Sequence, residues 1–233
     1  AQAALPGFSV LDQELTETIR SLGLEGKAAA QVGCNNAREL LSLASLNILP
    51  SAGIDQSGAF LEQGRLLAKA AGLEPRLIEA DIYDLPSDLG TFDLVLITIG
   101  VLNWMPDLDG FFRAVSKLLG PGGHLVIYET HPVMEMFEPD SDTPHEPVTS
   151  YFRKEPIKED GLISYDGVDH GSGETGYWFI HTLGRIVTSC AAAGLAITSL
   201  KEFGYSIREP EYDIYEGREA QIPMSYLLQA RKT

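Results

Sequence analysis

Apolar and polar positions follow two rhythms along this chain. Val10, Leu11, Leu15, Ile19 and Leu22 recur at helical spacing and predict a helix over GFSVLDQELTETIRSLGL, with Gly23 near its stop. AAAQV then reads as a short first strand. NARELLSLASL returns to helical spacing and ends before Pro50. SAGID is a second strand closing on Asp55, and SGAFLEQGRLLAKAAGL is a helix with Ser57 as its N-cap and Gly72 at its stop. PRLIEADI is a third strand. FDLVLITIG is continuously apolar, as a central strand buried on both faces should be. DLDGFFRAVSKLLGPGG is a helix closed by a Gly-Pro-Gly-Gly turn, and HLVIYET is a fifth strand.

This alternation of strands and helices predicts an α/β fold: a mostly parallel sheet with helices on both faces. A ligand then sits at the carboxyl ends of the strands, near the point where the strand order reverses. Residues 131–180 break the rhythm. They hold several prolines, an acidic EPDSD and the aromatics Tyr151, Phe152, Tyr165, Tyr177 and Trp178. The stretch is too long for a simple loop and too aromatic for disorder. It reads as an inserted cap of short strands within one domain spanning residues 1–233. HTLGRIVTSCAAAGL is a later helix stopped by Gly194. AITSLKEFGYSI and IPMSYLLQARK have no strong helix between them and are expected to pair antiparallel at one sheet edge.

Composition narrows the functions. Seventeen basic residues against 33 acidic ones give a formal charge of −16, and no run of Lys and Arg interrupts it. Such a surface repels phosphate backbones and anionic lipid, so neither nucleic acid nor a membrane is expected as partner. No apolar stretch approaches the roughly 18–20 residues of a membrane span. The two cysteines, Cys34 and Cys190, match no zinc spacing and no disulfide framework. They read as free thiols in a reducing cytoplasm, and no metal is expected. The chain opens on Ala1 rather than Met, which reads as processing or trimming.

Four places along the chain carry candidate chemistry. QVGCNNARE joins the first strand to the next helix with a single glycine, Gly33. It lacks the G-x-G-x-x-G that presses backbone against a pyrophosphate, which counts against dinucleotides and nucleotide triphosphates more than against a phosphate-free cofactor. Asn35 and Asn36 tolerate left-handed backbone. Asp55, at the end of the second strand, can accept two ribose hydroxyls, because Ser57 is the better cap and leaves it free. Asp81 follows the third strand, where a carboxylate can accept from an exocyclic amine. The fourth strand ends in Thr98, Ile99 and Gly100, with Asn103 and the large aromatic Trp104 just beyond.

The order and spacing of these features resemble the class I S-adenosylmethionine-dependent methyltransferases, in particular a bacterial subgroup of small-molecule type. The resemblance runs from about Leu22 to Arg231 and includes QVGCNNA, ITIGVLNW, LLGPGGHLVIYE and the closing YLLQARK. It implies a Rossmann-like seven-stranded sheet whose last, antiparallel strand lies between the fifth and sixth. It implies S-adenosylmethionine as cofactor, with S-adenosylhomocysteine as product. The residues that would hold it are Gln31, Gly33, Cys34, Asn35, Asp55, Gln56, Asp81, Ile82, Thr98, Ile99 and Gly100. The family has an acidic residue where this chain has Gln31, and glycines where it has Asn35 and Ala37. Methyl transfer needs a base only if the nucleophile carries a proton. His131 and Glu129 after the fifth strand, and His181 before the late helix, are candidates, with His170 a weaker one. Asn103, Trp104, Tyr128 and Trp178 would shape a pocket for a small-molecule acceptor. A homodimer is an open option. Two other classes stay open: a nicotinamide-dependent oxidoreductase on a Rossmann sheet, and a catalytically weak binding or regulatory protein of the same fold.

Overall fold

The structure is a computed structural model that describes residues 9–160 and 175–233. His170 and Tyr165 lie outside the described residues. In chain order the elements are α1 (Gln13–Ser21), β1 (Ala28–Val32), α2 (Arg38–Ser42), β2 (Leu49–Asp55), α3 (Gly58–Ala71), β3 (Arg76–Glu79), β4 (Phe92–Thr98), α4 (Leu108–Leu118), β5 (Leu119–Thr130), β6 (Ile157–Asp160), β7 (Thr175–Trp178), α5 (Leu183–Ala192), β8 (Leu195–Phe203) and β9 (Ser225–Lys232). Short 3₁₀ turns extend α2 and cover Leu102–Trp104, Met134–Met136 and Pro210–Tyr215.

Seven strands form one sheet in the order β3-β2-β1-β4-β5-β9-β8. β1 to β5 run parallel, and β9 runs antiparallel between β5 and β8, as the sequence predicted. β4 shows why its apolar run has no polar alternation. Leu94 and Leu96 pack on one face with α1, α2 and α3, while Val95 and Ile97 pack on the other with α4 and α5. Phe111 and Phe112 of α4 are fully buried and contribute about 2–3 kcal/mol each by leaving water.

The caps follow local chemistry. Ser57 accepts from the Phe60 amide at 3.3 Å to start α3, and Gly72 ends it at φ 68°. Three boundaries differ from the sequence reading. α1 starts only at Gln13, capped by the Asp12 carboxylate, which accepts from the Leu15 amide. The predicted second helix is one α-helical turn that tightens into a 3₁₀ turn and stops at Asn47, φ 57°. The Gly-Pro-Gly-Gly segment does not turn away from the sheet. It is the irregular start of β5, where Leu119 pairs with Phe92 before the register shifts.

The strand order reverses between β1 and β4. The two loops leaving their carboxyl ends therefore meet, and an added Cβ on Gly33 would lie 2.4 Å from Val101 Cγ2. Two segments rise over this end of the sheet. One is the predicted cap, whose described part carries the β6–β7 hairpin. The other joins β8 to β9 and was not anticipated. They share a small core of Met134, Tyr215 and Met224.

Candidate active site

The loop after β1 takes its shape from three left-handed residues. Gly33, Asn35 and Ala37 have φ of 62°, 49° and 60°. These are Gly33 and the two positions where the sequence departs from glycine. Asn35 pays little for this geometry, and its side chain also accepts from the Asn36 amide at 2.7 Å. Ala37 has no such compensation, but it is fully buried, and its N–H donates to the Cys34 carbonyl at 2.7 Å.

Asp55 fastens this loop. Its carboxylate accepts from the Asn35 amide at 2.7 Å and the Ser57 amide at 2.9 Å. A carboxylate has about four lone-pair positions, so two remain for a ligand. Gln56 is exposed beside it. Asp81 is exposed one strand over and accepts from the Tyr83 amide, while the Ile82 side chain is buried in the core. Cys34 turns under the loop toward Gly53, and burial pushes its thiol far above the ordinary range.

Gln31 is buried beneath the loop with both ends of its amide engaged. Nε2 donates to Thr98 Oγ1 at 3.0 Å, and Oε1 accepts from the Leu40 amide at 2.9 Å. Its side chain thus joins β1, β4 and the first turn of α2. Ile99 and Gly100 leave β4 half-buried, and a Cβ on Gly100 would meet only Trp178, at 3.8 Å.

Glu129, buried at the end of β5, accepts from the amides of Gly100, Val101 and Leu102 at 2.6, 2.9 and 3.3 Å. It shapes the turn after β4. Burial raises its pKa to about 8 against the opposing pull of those three donors. His131 is buried too. Its Nδ1 accepts from the Val133 amide, which leaves the proton on Nε2, 3.0 Å from a Glu202 oxygen. Burial lowers its pKa while Glu202 opposes. His181 Nε2 lies 2.8 Å from the Met105 carbonyl oxygen, which can only accept, so the ring carries its proton there and its lone pair on Nδ1. Burial lowers its pKa as well.

A narrow cleft opens beside these groups, lined by Leu102, Asn103, Glu129, Thr130, Pro132, His181, Ile186 and Tyr226, with a free volume of ≈ 10 Å³, about that of one water. The cap reaches it through Glu135, which accepts from Asn103 Nδ2 at 3.2 Å and Trp178 Nε1 at 2.8 Å. Trp104 and Trp178 meet edge to face at 5.1 Å. Of the predicted catalytic and acceptor residues, Glu129, His181, Asn103, Trp104 and Trp178 come together here. His131 is directed to Glu202 on β8. Tyr128 faces the opposite side of the sheet, edge-on to Phe203.

Thr130, Glu135, Glu209, Tyr212 and Tyr226 were missed. Thr130 Oγ1 donates to Glu209, whose pKa burial raises to about 7. The acidic and aromatic composition of REPEYDIYEG, like that of the cap, was the available signal. Tyr226 had one as well. An antiparallel strand starts where its parallel neighbour ends, which sets Tyr226 opposite Glu129.

Residues 30–127 match the family model described as a methyltransferase domain. A demethylmenaquinone methyltransferase of Thermus thermophilus is 39% identical over 80 residues, 34% of this chain and 36% of that protein. The chain thus spans about a third of that relative's length. A SAM-dependent methyltransferase structure from Methanosarcina mazei superposes at TM-score 0.65 and 16% identity, covering 97% of this chain and 99% of that one. Geranyl diphosphate C-methyltransferase from Streptomyces coelicolor, solved with Mg²⁺, geranyl diphosphate and S-adenosyl-L-homocysteine, superposes at 0.61 and 14%, covering 94% and 80%. At such identities the structural likeness is one of fold. Strand order, loop and matched segment agree: residues 30–127 match a methyltransferase domain, and the chain has the Rossmann-like fold of the S-adenosylmethionine-dependent methyltransferases it superposes on.

Proposed function

We propose that this protein transfers the methyl group of S-adenosylmethionine to a small-molecule acceptor held under the cap. One observation carries this reading. The three left-handed residues of the β1 loop are fastened by a strand-end carboxylate, Asp55, that keeps lone pairs to spare. That arrangement fits a cofactor with a ribose and no phosphate. Asp55 and Gln56 would take the ribose, Asp81 and the Ile82 amide the adenine, and Gly33, Asn35, Ile99 and Gly100 the amino-acid part.

The cofactor supplies a methyl carbon activated by a sulfonium leaving group, so positioning and exclusion of water are the main tasks left to the protein. Trp104, Trp178 and Glu135 build the cover that does this. If the acceptor must lose a proton, His181 is the best-supported base, because its neutral ring lines the cleft with the lone pair on Nδ1. Glu129 and His131 are committed to protein partners and act as positioning residues.

The Thermus relative is named for methylation of demethylmenaquinone. The matched family segment ends at residue 127, before the cap, so the acceptor has to be argued from the cap's own residues.

Calorimetry with S-adenosylhomocysteine tests the reading. Micromolar binding is expected, and Asp55→Asn should weaken it by about 1 kcal/mol or more. A folded protein that binds no S-adenosylhomocysteine at millimolar concentration would sink it. Because Asp55 also fastens the loop, the melting temperature of the variant is measured alongside.

A further inference from the structure

The cleft holds a polar group that the protein leaves unsatisfied. Tyr226 is 1% exposed and lines the cleft, and its hydroxyl has no hydrogen-bond partner among the described residues. An unpaired buried hydroxyl is costly, so a ligand atom that pairs with it gains binding energy. Burial pushes its pKa well above the usual range, which keeps the hydrogen in place. Tyr226 therefore offers an O–H donor.

The opposite need comes from its neighbours. His181 directs its Nε2 proton at the Met105 carbonyl, and Nδ1 receives no hydrogen bond among the described residues. Burial holds this ring toward its neutral form, so Nδ1 keeps its lone pair. Asn103 spends both amide hydrogens, on Glu135 at 3.2 Å and on the Phe179 carbonyl at 3.1 Å, and has only an acceptor left. Glu129 is taken up by three backbone amides, and burial holds it toward the neutral form, so it serves a ligand neither as base nor as counter-charge. The cleft thus pairs one donor with acceptors. Its free volume of ≈ 10 Å³ admits one oxygen-sized group, about a water's worth. Leu102, Pro132 and Ile186 give that group apolar walls. Glu129 also binds the Gly100 amide at 2.6 Å, so the cleft is continuous with the turn assigned above to the cofactor.

We propose that Tyr226 and His181 form a hydroxyl-specific subsite, in which Tyr226 donates to the acceptor's oxygen and His181 Nδ1 accepts its O–H, so that the methyl acceptor is a hydroxyl compound and the product a methyl ether. The proposal rests on the methyltransferase reading above and narrows its substrate class. A hydroxyl has one hydrogen and two lone pairs, and each has a task here. The hydrogen goes to His181, one lone pair takes the Tyr226 O–H, and the other forms the new O–C bond. The C–S bond breaks with its electrons on sulfur, and the hydroxyl proton passes to His181 Nδ1 and then to water. A carboxylate or carbonyl could use Tyr226 but has nothing to give His181. A protonated amine has no lone pair for the methyl group.

The test is calorimetry on protein saturated with S-adenosylhomocysteine. Matched probes share a phenyl, benzyl or hexyl body and differ only in carrying a hydroxyl, a fluorine, an amine or a carboxylate. Fluorine is close to a hydroxyl in size but has no hydrogen to give. For at least one body the hydroxyl should bind about tenfold more tightly than its three partners. Tyr226→Phe should cut that affinity about fivefold and leave S-adenosylhomocysteine binding unchanged. Because the Tyr226 hydroxyl has no partner in the free protein, the same variant should melt no lower than the parent, a result that a structural role for the hydroxyl would not give. The tightest hydroxyl probe, incubated with S-adenosylmethionine, should yield its methyl ether by mass spectrometry. Equal or tighter binding of fluoride, amine or carboxylate overturns the proposal. So does the absence of binding by every hydroxyl probe, an affinity that ignores Tyr226→Phe, or a lowered melting temperature. Methyl found on carbon, or no transfer to a bound probe, overturns it too. Failure of S-adenosylhomocysteine itself to bind would instead sink the cofactor reading, and the same probe ranking on the free protein would then decide the hydroxyl subsite.

Discussion

Gly33 and Val101 lock the two loops of the site together, and replacing them one at a time and together measures that lock. Gly33 sits at φ 62°, and a Cβ added to it would lie 2.4 Å from Val101 Cγ2 and 3.1 Å from Cγ1. Val101 has little room to retreat: it is 7% exposed, and its amide is one of the three that donate to Glu129. Gly33→Ala therefore carries two penalties, left-handed strain of about 1–2 kcal/mol and overpacking of about 1–3 kcal/mol. Val101→Ala alone removes two buried methyl groups and should cost about 1–2 kcal/mol. In the double variant the overpacking disappears and the backbone strain stays. Its loss should therefore fall short of the sum of the single losses by about 1–3 kcal/mol. Urea unfolding of the four proteins, compared at a common m-value, gives this coupling directly. A coupling below about 0.5 kcal/mol would mean that the loops do not meet as described, and the reasoning would fail.

Gln31→Glu, the change toward the family's acidic residue, puts a carboxylate where the amide is 1% exposed; it should cost about 1–3 kcal/mol at pH 7 and less at pH 5, and thermal unfolding with no such pH dependence would contradict this. Glu129, raised from 4.5 to about 8 by burial, contributes stability that is present below pH 4.5 and lost as pH rises through about 8. Glu129→Gln should therefore flatten the fall in stability across that window, and parallel pH profiles for parent and variant would exclude the effect. Glu209, raised to about 7, tilts the parent profile the same way, which is why the comparison is made as a difference. Both cysteines are fully buried, and burial pushes the Cys190 thiol up to about 12. A thiol reagent should leave the native protein unlabelled over minutes and modify both thiols once urea unfolds it; rapid native labelling would show that the core around Cys34 opens.

The parallel half of the fold was legible because each element has a local cause. Ser57 caps α3, Gly72 ends it, and the apolar run of β4 is long enough to serve both faces of the sheet. The loops that frame the proposed cofactor side were legible for the same reason, since strand ends and the loops after them are contiguous in sequence. The residues around the proposed acceptor cleft were not. Glu135, Thr130, Glu209 and Tyr226 are separated by up to 96 positions and come together only because β9 runs back between β5 and β8. Reading Gln31 failed in a different way. Its type suggested a neutral stand-in for a ligand-facing acid, whereas a buried amide that donates at one end and accepts at the other can join three elements at once. A carboxylate cannot do both while ionised. The substitution at position 31 is thus better understood as a gain in internal hydrogen bonding than as a lost contact to the cofactor. The same holds for Asp55, which fastens the loop it would share with a ligand. The β1 loop is thus held by the protein's own side chains, Gln31 from beneath and Asp55 from the next strand, so the proposed cofactor site needs no ligand to take its shape.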